Sequence, residues 1–181
     1  MLILASASPR RHELLLAAGI DHIVRPSRID ETRYRNEPAE VYVQRIARKK
    51  ALAISASDGD IVLGADTVVC LEGEVLGKPV AASDAARMLR SLSGRVHSVL
   101  TGISLVHGSK TVTDVAETRV WFNHIPEDEL LQYISTGEPM DKAGAYGIQG
   151  YASRFVQKID GCYYNVVGLP VSLVYQHLSS L

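Results

Sequence analysis

Residues 2–19, LILASASPRRHELLLAAG, join a short apolar run to a helical pattern and decide how the chain begins to fold. The first four letters predict a buried strand, and residues 9–18 predict a helix that ends at Gly19. Pro9 suits the first helical position, because it lacks the N–H that would have no partner there. Ser8 is then the expected N-cap of the helix. The chain therefore opens with a strand that is followed directly by a helix.

The rest of the chain continues to alternate between strand and helix patterns, with one good hairpin signal at Gly108-Ser109. We expect one α/β domain over residues 1–181, in which helices flank a mixed, twisted sheet. The further strands are expected at 22–27, 61–66, 67–79 with a turn at Glu72-Gly73, 95–107, 110–122, 154–161 and 163–168. The further helices are expected at about 38–57, from an N-cap at Ser83 to Gly94, at 125–137 and at 169–181.

Composition excludes several classes of protein. The net charge is −1 and Lys and Arg form no long run, which argues against a general nucleic-acid surface. No apolar stretch approaches the ~18 residues that a membrane span needs. MLILASA at the start lacks the basic leader of a signal peptide, so we expect a cytoplasmic protein. Cys70 and Cys162 lie far apart and are expected to be two buried thiols in a reducing compartment.

Two adjacent arginines, Arg10 and Arg11, stand where a helix start carries partial positive charge, which disfavours cations. One explanation is that both are solvated, at a cost of only a few tenths of a kcal/mol. The other is that an anion binds there. The free N–H groups, the hydroxyls of Ser6 and Ser8 and the two guanidinium groups would then form a phosphate cradle.

Lys50 and Asp66 break the pattern of their own elements. On a helix from 38 to 57, Lys50 falls in the middle of an apolar face, between Ile46 and Ile54. It either extends its charge to the surface or reaches into a cleft that holds negative charge. Asp66 interrupts the apolar runs IVLGA and TVVC. It is either a turn residue or a buried carboxylate, which must be paired or bound to a metal ion.

The segment DKAGAYGIQG, residues 141–150, combines four small residues with a tyrosine and Gln149. It is either a plain loop or a backbone that a ligand approaches closely, with one amide able to read a base edge. Lys78 in LGKP and Glu31 in the polar stretch 28–37 carry little information on their own. Thr67 beside Asp66 either contacts a ligand or merely favours a strand.

Taken together, SASPRRHELL, GADTVV, LGKP, LSGRVHSVLTG and DKAGAYGIQG resemble the Maf family of nucleoside triphosphate pyrophosphatases, from Leu4 to about Pro170. The resemblance implies a mixed α/β fold with two lobes around a deep cleft, similar to the inosine-triphosphate pyrophosphatases. It implies hydrolysis between the α and β phosphates, which yields the monophosphate and pyrophosphate and needs a divalent cation, Mg²⁺ or Mn²⁺. Asp66 matches the catalytic proton acceptor of the family. The expected substrate-binding residues are Ser8, Arg10, Arg11, Lys50, Thr67, Lys78 and Gln149.

SPRR, GADT and GIQG are typical of the branch of the family that prefers dTTP and UTP, whereas another branch prefers 7-methyl-GTP. The resemblance therefore implies that Arg11, Thr67 and Gln149 set the choice of substrate, which includes ordinary or modified pyrimidine nucleotides. Glu31 and Asp66 are expected to hold the metal ion. A homodimer is left open. The alternative function is a nucleotide-binding regulator of cell division that acts through protein contacts without turnover.

Overall fold

The computed structural model describes all residues from Met1 to Leu181 and contains seven strands and six α-helices. The strands are β1 (Leu2–Leu4), β2 (His22–Val24), β3 (Ile61–Leu71), β4 (Glu74–Leu76), β5 (Val96–His107), β6 (Lys110–Phe122) and β7 (Val156–Asp160). The helices are α1 (Pro9–Ala17), α2 (Ala39–Leu52), α3 (Ala82–Leu92), α4 (Glu127–Ser135), α5 (Tyr163–Val167) and α6 (Val171–Leu178). Three short 3-10 turns lie at Glu138–Asp141, Ala143–Ala145 and Tyr151–Phe155.

All seven strands belong to one mixed sheet, in the order β2-β1-β3-β5-β6-β7, with β4 paired to β3. β1 runs parallel to both of its neighbours, so Ile3 lies opposite Ile23 on one side and Val62 on the other. β3 with β4 and β6 with β7 are antiparallel pairs. The expected α/β class, a mixed sheet with flanking helices, is thereby confirmed.

The chain divides into two compact units. The first consists of Met1–Thr67, Leu100–Ala116 and Gly168–Leu181, and the second of Val68–Val99 and Glu117–Val167. The first unit contains a core cluster of Ile3, Ala5, Ala51 and Val62, against which Ile23, Ile54 and Val106 pack. The core of the second unit is larger and includes Leu89, Leu92, Phe122, Tyr133 and Phe155.

Helix α2 lies directly on the sheet of the first unit because two strands carry glycine beneath it. A Cβ built on Gly64 of β3 would lie 2.1 Å from the carbonyl oxygen of Ala47. A Cβ built on Gly102 of β5 would lie 2.4 Å from the carbonyl group of Val43. No side chain fits at either position, so both glycines are required by space rather than by backbone conformation.

Three expectations about local structure are wrong. Helix α2 ends at Leu52 rather than near residue 57, because a turn forms in which the amide of Ser57 donates to Asp60 Oδ2. Residues 163–167 form helix α5 instead of a strand. Its Asn165 side chain donates to the carbonyl of Val99, a tertiary contact that overrides the local strand preference. Helix α3 has Ala81 rather than Ser83 at its N-cap.

Ser8 does occupy the N-cap position of α1, but its hydroxyl makes no capping hydrogen bond. Both cysteines are free thiols, as expected, but each is partly exposed rather than buried. None of the helices combines the length and the apolar character that crossing a membrane would require.

Candidate active site

A lysine and two carboxylates form a charged cluster in the first unit. Lys50 Nζ lies 2.8 Å from Asp66 Oδ1 and 3.1 Å from Glu31 Oε1. Lys50 and Asp66 are buried, whereas about half of the Glu31 side chain is exposed, at 49%. A buried charge is costly unless it is paired, so each of the two buried groups stabilises the other in place.

The close approach of α2 to β3 brings Lys50 and Asp66 together. Gly64 and Asp66 are two residues apart on β3 and therefore point to the same face of the sheet. Ala47 and Lys50 are three residues apart on α2 and lie on the same face of the helix. Because Gly64 allows the backbone of Ala47 to come close, the side chain of Lys50 reaches the carboxylate of Asp66.

The loop before α2 carries Glu31 and is held at several points. The hydroxyl of Tyr42 donates to the carbonyl of Glu31 at 2.9 Å, which fixes the backbone of that residue. Burial, with the nearby carboxylates of Asp66 and Glu31, raises the pKa of Tyr42 to about 12, so its hydroxyl stays protonated and able to donate. Further along the loop, Glu37 accepts two hydrogen bonds from Arg45, at 2.6 and 2.7 Å.

Arg11 is buried and hydrogen-bonded to protein groups, so it is not the solvated arginine of the first explanation. Its Nε donates to the carbonyl of Gly168 at 2.9 Å, and Nη1 donates to the carbonyl of Ala65 at 2.8 Å. Nη1 also donates to Ser6 Oγ at 3.0 Å. Burial lowers the pKa of Arg11, and the negative charges of Asp66 and Glu31 oppose that shift. Arg11 thus joins α1, β3 and the segment that begins α6.

Thr67 is the fourth partner of Arg11, which donates from Nη2 to Thr67 Oγ1 at 2.9 Å. The same oxygen lies 3.2 Å from the carbonyl oxygen of Gly168 and 2.9 Å from Thr101 Oγ1. Because a carbonyl can only accept, Thr67 donates its proton when it bonds to Gly168, and Thr101 is then the donor to Thr67. Arg11 and Thr67, two of the residues expected to select the substrate, therefore form one hydrogen-bonded unit.

Four further residues are expected from the sequence to bind substrate. Ser8 and Arg10 lie at the start of α1, both partly exposed, and the amide of Ser8 donates to Ser6 Oγ at 3.2 Å. Lys78 and Gln149 belong to the second unit, and both are exposed.

Several groups that hold the site give no clear sign in the sequence: Tyr42, Thr101, the carbonyl of Gly168 and, as the partner of Arg11, Ser6. Tyr42 gives no signal, because half-buried aromatic residues are common on helices. The buried Thr101 lies in a strand, where threonine is ordinary. Only Gly168, with a φ of 133°, occupies a backbone conformation that favours glycine.

The carboxylates of Glu31 and Asp66 are the groups that could bind a metal ion. They are hard oxygen donors, of the type that Mg²⁺ and Mn²⁺ prefer. The structure contains no group of three or more His, Cys, Asp or Glu side chains arranged to hold a metal ion. Two carboxylates suffice for an ion whose other ligands are water and substrate phosphate, which is how Mg²⁺ is usually bound. The donor set therefore fits a metal ion that binds together with a phosphorylated ligand.

The fold is α/β, and the charged cluster places one fixed cation beside two carboxylates. The chain belongs to the Maf family: a family model described as Maf-like protein matches residues 1–181.

Relatives of about 50% identity extend along nearly the whole chain. A "dTTP/UTP pyrophosphatase" of Moorella thermoacetica is 51% identical over 182 residues, covering 98% of this chain and 93% of the relative. A "dTTP/UTP pyrophosphatase" of Pyrococcus abyssi is 53% identical over 175 residues, covering 96% and 92%. A solved structure of a "Nucleoside-triphosphatase / dITP/XTP pyrophosphatase" from Mycobacterium abscessus matches at a TM-score of 0.46 and 13% identity, over 99% of this chain and 96% of that one.

Proposed function

We propose that this chain hydrolyses dTTP and UTP between the α and β phosphates and releases the nucleoside monophosphate and pyrophosphate. Membership of the Maf family and the names of the relatives from Moorella thermoacetica and Pyrococcus abyssi support the reaction. The observation that carries the proposal is the cluster of Glu31, Lys50 and Asp66, since it places a buried carboxylate beside a fixed cation.

In this proposal Asp66 is the proton acceptor. Lys50 donates to Oδ1 of Asp66, so we assign Oδ2 to orient a water molecule and take up its proton as that water attacks the α-phosphorus. The P–O bond to the bridging oxygen breaks, and the leaving group is pyrophosphate. Lys50 fixes the carboxylate in one orientation, which removes a conformational cost from the reacting geometry.

A divalent cation, Mg²⁺ or Mn²⁺, would be held by Glu31 and Asp66 and would neutralise charge on the phosphate oxygens. Tyr42 supports this role, because its hydrogen bond to the carbonyl of Glu31 keeps that carboxylate within reach of Lys50. We assign Ser8, Arg10 and Lys78 to the binding of phosphate groups by charge and hydrogen bonding.

We assign the choice of base to Arg11, Thr67 and Gln149. Gln149 is exposed and carries an amide that can both donate to and accept from a base edge. Arg11 and Thr67 already have protein partners, so we assign them an indirect effect: they shape and stiffen the backbone around Ala65 and Gly168. A polar group that hydrogen-bonds a base edge rejects a base that lacks the matching partner, because its own bond is then left unmade.

The test is an incubation of the wild-type protein with dTTP or UTP and Mg²⁺, with separation of the products by ion exchange. We expect dTMP or UMP together with pyrophosphate. We expect Asp66→Asn to keep the fold and to lose at least about a hundredfold in turnover, as the removal of a general base does.

The matched control is Asp58→Asn, an exposed carboxylate away from the cluster, which should keep full activity. Release of orthophosphate and the nucleoside diphosphate would contradict the proposed bond. Near wild-type rates in Asp66→Asn would show that Asp66 is not the base. Tight nucleotide binding without any product would favour the regulator instead.

A further inference from the structure

The segment Gly147–Gly150 of the second unit, GIQG, presents one side chain and buries the next. Gln149 is exposed, whereas Ile148 beside it is buried. Gln149 can read a base only if the backbone that carries it is held in one position. Base selectivity by Gln149 therefore depends on the residues that fix the backbone of this segment.

The carboxylate of Glu138 lies beneath this segment. Glu138 Oε1 accepts a hydrogen bond from the hydroxyl of Tyr133 at 3.2 Å, and Oε2 accepts one from the amide of Tyr151, also at 3.2 Å. The hydroxyl of Tyr133 in turn accepts a hydrogen bond from the amide of Gly147, at 3.3 Å. The carboxylate of Glu138 therefore holds the segment on both sides: it accepts directly from the residue that follows Gly150, and it is linked to Gly147 through Tyr133.

The two glycines of the segment show how close this contact is. A Cβ built on Gly150 would lie 2.1 Å from Glu138 Oε1, and a Cβ built on Gly147 would lie 2.7 Å from Lys142 Cε. Gly150 has a φ of −99°, so it is not required by a left-handed backbone. It is glycine because the backbone passes directly over the carboxylate. Lys142 Nζ donates to the carbonyl of Glu138 at 2.7 Å and fixes that residue from the other side.

Tyr133 connects Glu138 to Gly147 and is itself firmly fixed. Its side chain is fully buried, and its ring stacks on that of Tyr151, with ring centroids 5.3 Å apart. Burial, together with the negative charge of Glu138, raises the pKa of Tyr133. The hydroxyl therefore keeps its proton and donates to Glu138 over the whole working range of pH.

We propose that Glu138 is a positioning residue for base selectivity: its carboxylate holds the Gly147–Gly150 backbone so that the amide of Gln149 stays in one orientation. The inference rests on the proposed function of Gln149. Glu138 itself touches no substrate. It acts on the nucleotide only through the segment above it, so its removal should raise KM and lower discrimination while the chemical step is largely preserved.

The first test compares Glu138→Ala, Glu138→Gln and Glu129→Ala in steady-state kinetics with dTTP, UTP and dCTP. Glu129 is the matched control, a partly exposed carboxylate of the same unit. For Glu138→Ala we expect KM for dTTP to rise about tenfold, because binding must then order a segment that the wild type already holds, with kcat changed less than about threefold. The preference for dTTP over dCTP should fall by a similar factor. Glu138→Gln should recover part of both effects, and Glu129→Ala should match the wild type.

A second test uses Gly150→Ala alone and combined with Glu138→Ala. The single variant should raise KM for dTTP as Glu138→Ala does, because the new Cβ collides with the carboxylate. In the double variant the collision is gone, so the two effects should not multiply. Multiplied effects, or an equal loss of kcat and kcat/KM in Glu138→Ala, would overturn the proposal.

Amide hydrogen exchange separates this proposal from the proposed function. Exchange of the Gly147 and Tyr151 amides should be at least about tenfold faster in Glu138→Ala than in the wild type. The Tyr151 amide loses its acceptor, and the Tyr133 hydroxyl that accepts from Gly147 loses the carboxylate that fixes it. That result is expected even if the wild type hydrolyses none of these nucleotides, in which case only the proposed function fails. Unchanged exchange at both amides would refute the positioning role.

Discussion

Replacement of Lys50 by methionine isolates the energy of the charged cluster. Methionine keeps most of the length and apolar stem of lysine but removes the ammonium group, so the carboxylate of Asp66 is left buried without its partner. At the observed 2.8 Å, with an effective dielectric constant of about 20, the lost attraction is about 6 kcal/mol. Part of that attraction offsets the cost of burying two charges. Loss of one partner of a buried pair therefore costs about 3 to 5 kcal/mol.

The expected loss is large compared with the ~5 to 15 kcal/mol by which a folded protein is usually stable. In a chain of this length, 1 kcal/mol shifts Tm by roughly 2 to 4 °C, so Lys50→Met should lower Tm by about 6 to 20 °C. The double variant Lys50→Met/Asp66→Asn removes both charges and should recover a large part of the loss, because no ion is stranded.

The assay is thermal unfolding at pH 7, supported by urea titration, on the two variants and a neighbour control. Lys49→Met is that control, since Lys49 is adjacent in the chain but exposed, and its stability should change by less than about 0.5 kcal/mol. The reasoning would be refuted if Lys50→Met melted within about 2 °C of the wild type. It would also be refuted if the double variant were less stable than Lys50→Met alone.

Two further predictions concern pH and packing. Burial lowers the pKa of His97 from 6.5 to about 4. Between these two pH values the unfolded chain binds a proton at His97 that the folded chain does not bind. The contribution of His97 to the free energy of unfolding is therefore complete above pH 6.5 and is lost as the pH falls towards 4. Urea unfolding should therefore give a free energy of unfolding about 2 kcal/mol lower at pH 5 than at pH 7, and His97→Gln should abolish this difference. An equal difference in the variant would show that another group causes it. Gly64→Ala should cost about 3 kcal/mol in urea unfolding, because its Cβ would lie 2.1 Å from the Ala47 carbonyl oxygen, whereas Gly59→Ala, with no atom within 4 Å of its Cβ, should be neutral. Equal stability of the two glycine variants would contradict the close contact of α2 with β3.

Periodicity was sufficient to predict most of the elements, because an apolar stripe or an apolar run reports directly on burial. It failed where a distant partner decides the local structure. Residues 163–167 have the composition of a strand, but Asn165 is bonded to the carbonyl of Val99, 66 residues away, and the segment is helical. Periodicity overestimates the length of α2, because the turn at Ser57–Asp60 competes with the helix through hydrogen bonds that a hydropathy pattern does not contain.

Some residues of the charged site can be predicted from the sequence and others cannot. Lys50 and Asp66 could be singled out from the sequence because each is a charge within an apolar pattern, and the structure shows both buried and paired. Glu31 sits in a polar loop where a carboxylate is ordinary, so only the family resemblance pointed to it. The helix-start position draws attention to Arg11 but does not predict that the side chain is buried against protein partners. Its partners Ala65 and Gly168, 54 and 157 residues away, could not be inferred from local sequence.

Hydrolysis of dTTP in ¹⁸O-labelled water tests the central claim most directly, since the label marks the phosphorus that water attacks. With wild-type protein and Mg²⁺, attack at the α-phosphorus places ¹⁸O in dTMP and leaves pyrophosphate unlabelled, and mass spectrometry of the two products distinguishes them. The same incubation with Asp66→Asn should give almost no labelled dTMP. Label in pyrophosphate or orthophosphate, or undiminished labelled dTMP from Asp66→Asn, would contradict the account.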